Sequence, residues 1–296
     1  MVQVTVLGIA QDGGRPQAGC IRSCCASLTP ADVRFPVALG IVDDDGTTHL
    51  IEASRHLGDQ LRYTWKIPNE GDRKNKGIDH LWITHAHLGH VDGLGLFGRE
   101  AMNARGIKLH VSESMADLIQ RTPTWNIMVQ QGVFEVEIFT NNQSCQTITS
   151  PTLKIEHVPI PHRAELSDMN AFIIRGPHKS LLFLPDHDTW DKTLSMHKGT
   201  SIPHFLKMLD VNIALIDGTF WSYDELGGVR CQTEVPHPPV SRTLDMLGPR
   251  APLQDPEIYF THLNHTNPLY NADSTEYKTL YAMGWKVADQ GMKFDL

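Results

Sequence analysis

The sequence predicts an α/β protein built as a four-layer αββα sandwich, with two β-sheets stacked face to face and helices on both outer faces. Three observations predict it. Short β-branched or alternating apolar runs come in groups of two or three instead of alternating singly with helices, which disfavours a doubly wound sheet. Helical periodicities fall between those groups. The chain, 296 residues of which 41% are hydrophobic and 20% charged, is also long enough to fill such layers without a disulfide scaffold.

In chain order, strands are expected at residues 3–7, 37–42, 48–52, 80–84, 108–111, 134–138, 153–158, 171–175, 181–184, 211–216, 257–261 and 285–288. Helices are expected at 91–104, 113–121, 190–209 with an interruption at Ser201-Ile202-Pro203, 238–247 and 274–283. The polar, turn-rich stretch 66–76 reads as a surface loop, and 221–239, with Gly227-Gly228 and Pro236-His237-Pro238-Pro239, as a second loop. No repeat, low-complexity tract or composition break appears, so one domain is expected over residues 1–296.

Charge and hydropathy exclude some functions. With 26 Lys+Arg against 34 Asp+Glu the formal charge is −8, and such a surface repels polyphosphate, so long nucleic acids are not the expected partner. The longest apolar runs, at 35–42 and 181–185, fall far short of the ~20 residues that span a bilayer. Met1 leads directly into a strand pattern without a basic leader, and the chain reads as cytoplasmic unless a leader has been removed. The expected partners are a small-molecule substrate and, at most, a second copy of the chain in a homodimer. Histidine is the compositional oddity, at 16 residues.

Three of those histidines lie in Thr84-His85-Ala86-His87-Leu88-Gly89-His90, between an apolar strand and a helical pattern. In extended backbone residues i and i+2 point the same way, so His85 and His87 can grip one cation, while His90 turns toward a neighbouring position. Further on, apolar strands end in His162, Asp186 and His262. Ligands at the same edge of stacked sheets converge on one cleft.

This pattern resembles the metallo-β-lactamase fold superfamily, whose signature is His-X-His-X-Asp-His at a strand end. The resemblance implies a first metal site at His85, His87 and His162, a second at His90 and His262, and Asp186 bridging them. Gly89 departs from the signature, standing where the superfamily has an aspartate that helps hold the second metal. The expectation is a second site short of one ligand; Asp92 ranks as a poor replacement because it lies three residues further on, in the predicted helix.

Further segments narrow the resemblance: Val6-Leu7-Gly8, Gly13-Gly14-Arg15-Pro16-Gln17, Pro161-His162-Arg163-Ala164-Glu165, Ile216-Asp217-Gly218-Thr219 and Thr266-Asn267-Pro268. They are similar to the pyrroloquinoline quinone biosynthesis protein B branch, itself similar to the phosphodiesterase of the carbon–phosphorus lyase pathway. The B proteins usually lack part of the histidine signature that is present here. By the same resemblance Cys20, Cys25 and His265, with Cys24 in place of a missing middle cysteine, form a structural zinc site, and His237 is a proton donor to the leaving group. Arg163 is a candidate for binding an anionic group, and Glu165 or Asp168 for orienting a ligand histidine. Cys145 and Cys231 are read as plain thiols.

The function implied is a metal-dependent hydrolase of a small phosphodiester, cyclic phosphate or strained ester. Zinc, or alternatively manganese or iron, would occupy one or two active-site positions, with Asp186 and His237 as the catalytic side chains. Two alternatives stay open: an iron-dependent oxidative enzyme related to pyrroloquinoline quinone biosynthesis, and a non-catalytic metal-binding protein.

Overall fold

The computed structural model describes residues 1–65, 67, 73–139, 147–148, 150–226, 235–251 and 256–296. Cys145, Cys231 and most of the 66–76 stretch lie outside them. The first sheet has the order β14 (Lys293–Asp295), β1 (Gln3–Gly8), β2 (Ala38–Val42), β3 (Thr48–Ile51), β4 (His80–Trp82), β5 (Ile107–Val111), β6 (Phe134–Ile138). The second has the order β13 (Lys286–Val287), β12 (Glu257–Thr261), β11 (Ile213–Asp217), β10 (Ser180–Leu184), β9 (Met169–Arg175), β8 (Lys154–Ile160), β7 (Thr147–Ile148).

Period-two alternation decides which side chains each face presents. Val4, Val6, Leu39, Ile41, Ile51 and Trp82 join one apolar cluster with strands β8 to β12, and Trp82 meets Phe172 edge-on at 5.7 Å across the sheets. Their neighbours Leu7, Ala38, Leu50 and Leu81 point the other way, into a second apolar cluster that also holds Trp65 and, from α4 (Glu113–Arg121) and α5 (Pro123–Gln130), Met115, Ile119 and Met128. The second sheet is covered by α6 (Trp190–Met196), α7 (Ile202–Met208), α8 (Val240–Leu247) and α9 (Thr275–Ala282), through Trp190, Phe205, Leu244 and Leu280. This is the four-layer arrangement expected. Among the described residues the helical segments before α4 are short, α1 (Ser23–Ala26), α2 (Leu57–Asp59) and α3 (Leu88–Val91) among them.

Pairing directions place the loops that matter at strand ends of one polarity. β1 is antiparallel to β2, which is antiparallel to β3, and β3, β4 and β5 are parallel, so β1, β3 and β4 run the same way. In the second sheet β8, β10, β11 and β12 likewise share one direction.

Two helix expectations need correction. Residues 91–104 do not form one helix: α3 gives way to a 3-10 turn over Asp92–Phe97. Glycine is the cause, because the backbone at Gly93 approaches residue 54 so closely that a Cβ would lie 2.1 Å from the Ser54 carbonyl oxygen. The 190–209 pattern is two helices, each started by a hydroxyl cap: Thr189 accepts from the Lys192 amide and Ser201 from the His204 amide. The break therefore falls before Ser201. Helix α5, the two-residue β7 and the three-residue β14 were not expected from the sequence. Among the described residues no helix is long and apolar enough to cross a membrane.

Three histidines outside the metal motif cluster across β3, β4 and β5, with His49 the register partner of His80 and His110 that of Trp82. His49 packs on His80 at 4.5 Å, His80 shares a 2.8 Å hydrogen bond with His110, and His110 lies flat on Trp82 at 3.8 Å. Burial, and for His110 the neighbouring His80, pushes His110 down to about 3; burial and Lys108 push His80 down to about 4. The folded state thus binds fewer protons than the unfolded chain below the ordinary histidine value of ~6.5, and stability falls as pH drops from there toward 3–4. His110→Phe keeps the ring on Trp82 and removes the proton site. Its melting temperature is expected to fall less than wild type's between pH 7 and pH 4.5, a difference of about 2 kcal/mol. Identical slopes in a pH series of thermal melts would contradict this.

Candidate metal centre

Each motif residue sits just past a strand end. His85 and His87 follow β4, with His90 on α3. His162 follows β8, Asp186 follows β10 and His262 follows β12. The structure brings all six together. His85 Nε2 lies 2.9 Å from His87 Nδ1, which lies 3.3 Å from His162 Nε2. Nitrogens around one zinc at 2.0–2.1 Å are about 3.3 Å apart, so the three atoms fit a single tetrahedral cation with an open fourth position. Asp186 faces both halves of the cleft: Oδ1 lies 3.8 Å from His162 Nε2, while Oδ2 lies 3.2 Å from His90 Nε2 and 3.5 Å from His262 Nε2.

The imidazoles are held in the tautomer a metal needs by a pair of matching relays. Thr84 Oγ1 donates to the buried Glu52 carboxylate and accepts from His85 Nδ1 at 2.9 Å, which leaves His85 Nε2 as a lone pair. His90 Nδ1 also donates to Glu52, at 3.0 Å. In the other sheet Thr219 Oγ1 donates to Asp217 at 2.7 Å and accepts from His262 Nδ1 at 2.8 Å. Such outer partners fix ring orientation and raise ligand basicity. Glu52, Thr84, Asp217 and Thr219 were not singled out from the sequence as site residues. Their signal was weak, although Thr84 precedes the first ligand and Asp217-Gly218-Thr219 was already conspicuous.

Electrostatics differ across the cleft: burial opposes the charged form of His90, but Glu52 and Asp186 outweigh it and raise the His90 pKa well above the usual range, whereas His85 and His162 are held low. Burial, reinforced by His90, holds His85 well below the usual histidine range, and burial pushes His162 down to about 4. Both are neutral near pH 7. Burial disfavours the charged form of Asp186, but His262 and His90 beside it overcome this and hold its carboxyl well below the usual range.

Gly89 does not leave the second half short of a carboxylate. Asp12, in the loop after β1, points Oδ1 to within 3.4 Å of His90 Nε2 and 3.5 Å of His262 Nε2. A carboxylate oxygen thus stands beside His90 and His262 where the sequence led one to expect none, and Asp12 is a residue that sequence reasoning did not single out. Asp92 stays outside, paired with Arg55 at 2.6 Å.

His237 is buried at the same cleft. Its Nδ1 donates to Asp217 at 2.7 Å and its Nε2 lies 3.9 Å from Asp186 Oδ1. Burial opposes its charged form, but Asp217 outweighs it and raises the His237 pKa. Glu165 lies 3.4 Å from His87 Nε2 and 3.6 Å from Arg163, whereas Asp168 accepts from Ser112, Ser114 and Asn170 and touches no ligand. Of the two carboxylates considered for orienting a ligand, only Glu165 is placed to do so.

The cysteine cluster assembles too. Cys20 and Cys24 sulfurs are 3.7 Å apart, and His265 Nδ1 lies 3.4 Å from Cys24 and 3.3 Å from Cys25. Thiolates around one zinc at ~2.3 Å are about 3.8 Å apart, so these four side chains fit a closed tetrahedral site. Between this cluster and Asp12 opens a cavity of about 590 Å³, walled by Asp12, Gln17, Arg22, Arg55, Asn264 and His265.

Comparison with known proteins agrees with this geometry. The family model described as "Beta-lactamase superfamily domain" matches residues 47–263. The chain is 27% identical over 315 residues to Coenzyme PQQ synthesis protein B of Xanthomonas oryzae pv. oryzae, covering 100% of both. It is also 27% identical over 317 residues to the protein of the same name from Nitrosococcus oceani, covering 98% of each. Among solved structures it shares its fold with Zn(2+)-bound PqqB from Methylobacterium extorquens, at a TM-score of 0.77, 21% identity and coverage of 99% and 100%. A diphosphatase from the PhnP family shares the fold at 0.64, with 20% identity and coverage of 99% and 96%.

Proposed function

The chain belongs to the beta-lactamase superfamily domain family, and on that premise we propose that it is a metal-dependent hydrolase of a small phosphodiester, cyclic phosphate or strained ester. One observation carries the reading: the two oxygens of Asp186 face two separate ligand clusters, so one carboxylate serves both halves of the cleft. Hydrolytic centres that clamp an attacked group from two sides are built this way. The His85/His87/His162 set and the Asp186/His90/His262 set fit divalent cations, which when bound would supply Lewis acidity and an acidic water.

The chain's own side chains do the rest. Glu52 and Thr84 orient His85 and His90, and Thr219 orients His262. Asp217 holds a proton on His237, whose Nε2 faces Asp186 and can pass a proton to a departing oxygen. Arg22 and Arg55, in the wall of the adjoining cavity, suit a small anionic substrate, and about 590 Å³ lies within the range of small-ligand pockets.

A second reading, an iron-dependent oxidative enzyme, is favoured by the relatives named for PQQ synthesis. Metal analysis and a panel of chromogenic phosphodiester, phosphomonoester and lactone substrates, run on one preparation, separate the two. Zinc or manganese with diester or lactone turnover is expected. Iron with oxygen consumption and no hydrolysis would replace the first reading by the second.

A further inference from the structure

The second ligand cluster owes its carboxylate to a loop far in sequence from the histidine motif. Asp12 Oδ1, Asp186 Oδ2, His90 Nε2 and His262 Nε2 all point at one spot, with nitrogen–oxygen separations between 3.2 and 3.5 Å. Each of these four atoms is buried and lacks a hydrogen-bond partner among the described residues. With Nδ1 of His90 and His262 hydrogen-bonded to Glu52 and Thr219, each Nε2 turns to the two carboxylate oxygens. The pocket they form draws positive charge, either as a proton on His90, whose pKa Glu52 and Asp186 raise against burial, or as a cation between the four atoms. Carboxylate oxygens converging out of water without such a charge are an unfavourable arrangement.

Gly89 explains why the carboxylate comes from here. A Cβ at Gly89 would lie 2.2 Å from Asp12 Oδ1 and 2.5 Å from Asp12 Cα. A side chain at 89 would run into the backbone of residue 12 as well as its carboxylate, so with the loop in this place the carboxylate comes from residue 12. Nor is Asp12 a chance visitor on a loose loop: the Gln11 amide donates to the Leu263 carbonyl at 2.8 Å, the Leu263 amide donates to Ile9 at 2.8 Å, and Gly14 closes the turn onto Gln11 at 2.7 Å.

We propose that Asp12 is a metal ligand of the second site, supplying from the loop after β1 the carboxylate that the signature would place at position 89. The resulting set of two imidazoles and two carboxylates, from His90, His262, Asp12 and Asp186, suits zinc, manganese or iron. The assignment rests on the reading of the cleft as a metal centre and deepens it.

The test compares Zn²⁺ uptake, counted by native mass spectrometry and titrated against a chelator, in wild type, Asp12→Ala, Gly89→Asp and the double variant Asp12→Gly/Gly89→Asp. Asp12→Ala is expected to weaken the second active-site ion by at least about 100-fold, since loss of mere outer partners already costs 10–100-fold. The ion at His85, His87 and His162 is expected to stay. Gly89→Asp alone adds a side chain to filled space and lowers the melting temperature. In the double variant a Cβ at 89 still meets the Cα of residue 12, so affinity is expected to return only in part. Asp12→Ala holding the second ion as tightly as wild type would overturn the assignment. Wild type that takes up no ion beyond the cysteine cluster would overturn the metal reading of the cleft itself.

Discussion

Asp186→Asn is expected to fold and to lose catalysis, with kcat/KM on any substrate found in the panel down by at least about 100-fold, the most that losing an outer partner of a ligand costs. The side chain keeps its shape but not its charge, and both halves of the cleft feel the change because Oδ1 faces His162 and Oδ2 faces His90 and His262. Bound metal should fall in both sites together. His237→Gln, by contrast, removes a side chain that lies beside the ligand sets and holds a proton, so it should lower kcat while leaving metal content intact. Steady-state kinetics and elemental analysis of the two variants side by side check both statements. If Asp186→Asn lost only one ion, its carboxylate would belong to one site and not be shared.

The second large effect is on stability. Cys25→Ser is expected to lower the melting temperature by about 5–10 °C, the consequence of a few kcal/mol in a domain of this size. A chelator strong enough to strip zinc should reproduce the loss in wild type and add little to the variant. Activity should fall as well, because His265 lies three residues past His262 in a loop whose Leu263 is hydrogen-bonded to Ile9 and Gln11. Loosening the cluster therefore disturbs His262 and Asp12 at once. A differential scanning measurement showing equal melting temperatures, with and without chelator, would remove zinc from Cys20, Cys24, Cys25 and His265.

Much of this was legible in the sequence, because a ligand that ends an apolar strand leaves two signals in one place. His85, Asp186 and His262 each follow a run of buried residues, His162 follows a half-buried alternating strand, and the sheets carry those ends to one edge. The cysteine cluster was legible from its density. Asp12 was not, since it sits in a glycine-rich loop with no periodicity to say where its side chain points, and the vacated room at Gly89 exists only in three dimensions. The same blindness to close backbone approach produced the false helix over 91–104, where apolar spacing looked helical but Gly93 had to pass against Ser54. The outer partners Glu52 and Thr219 escaped for another reason: a buried carboxylate or hydroxyl beside a strand end has no distinctive spacing, and only its hydrogen bond to an imidazole reveals its use.

The place of β1 in the first sheet bears on how the protein folds. β1 lies between β2, which follows it closely along the chain, and β14, which lies at residues 293–295. The Val6 amide donates to the Met292 carbonyl, and Leu263 flanks the end of the same strand. One side of β1 therefore has its partners within reach early, and the other stays an open strand edge until the last segments of the chain have emerged. Pairings so distant in sequence are slow to form, and an unpaired edge is a template for association with other chains. The first sheet cannot close before residues 292–295 are made, and until then β1 offers an open edge.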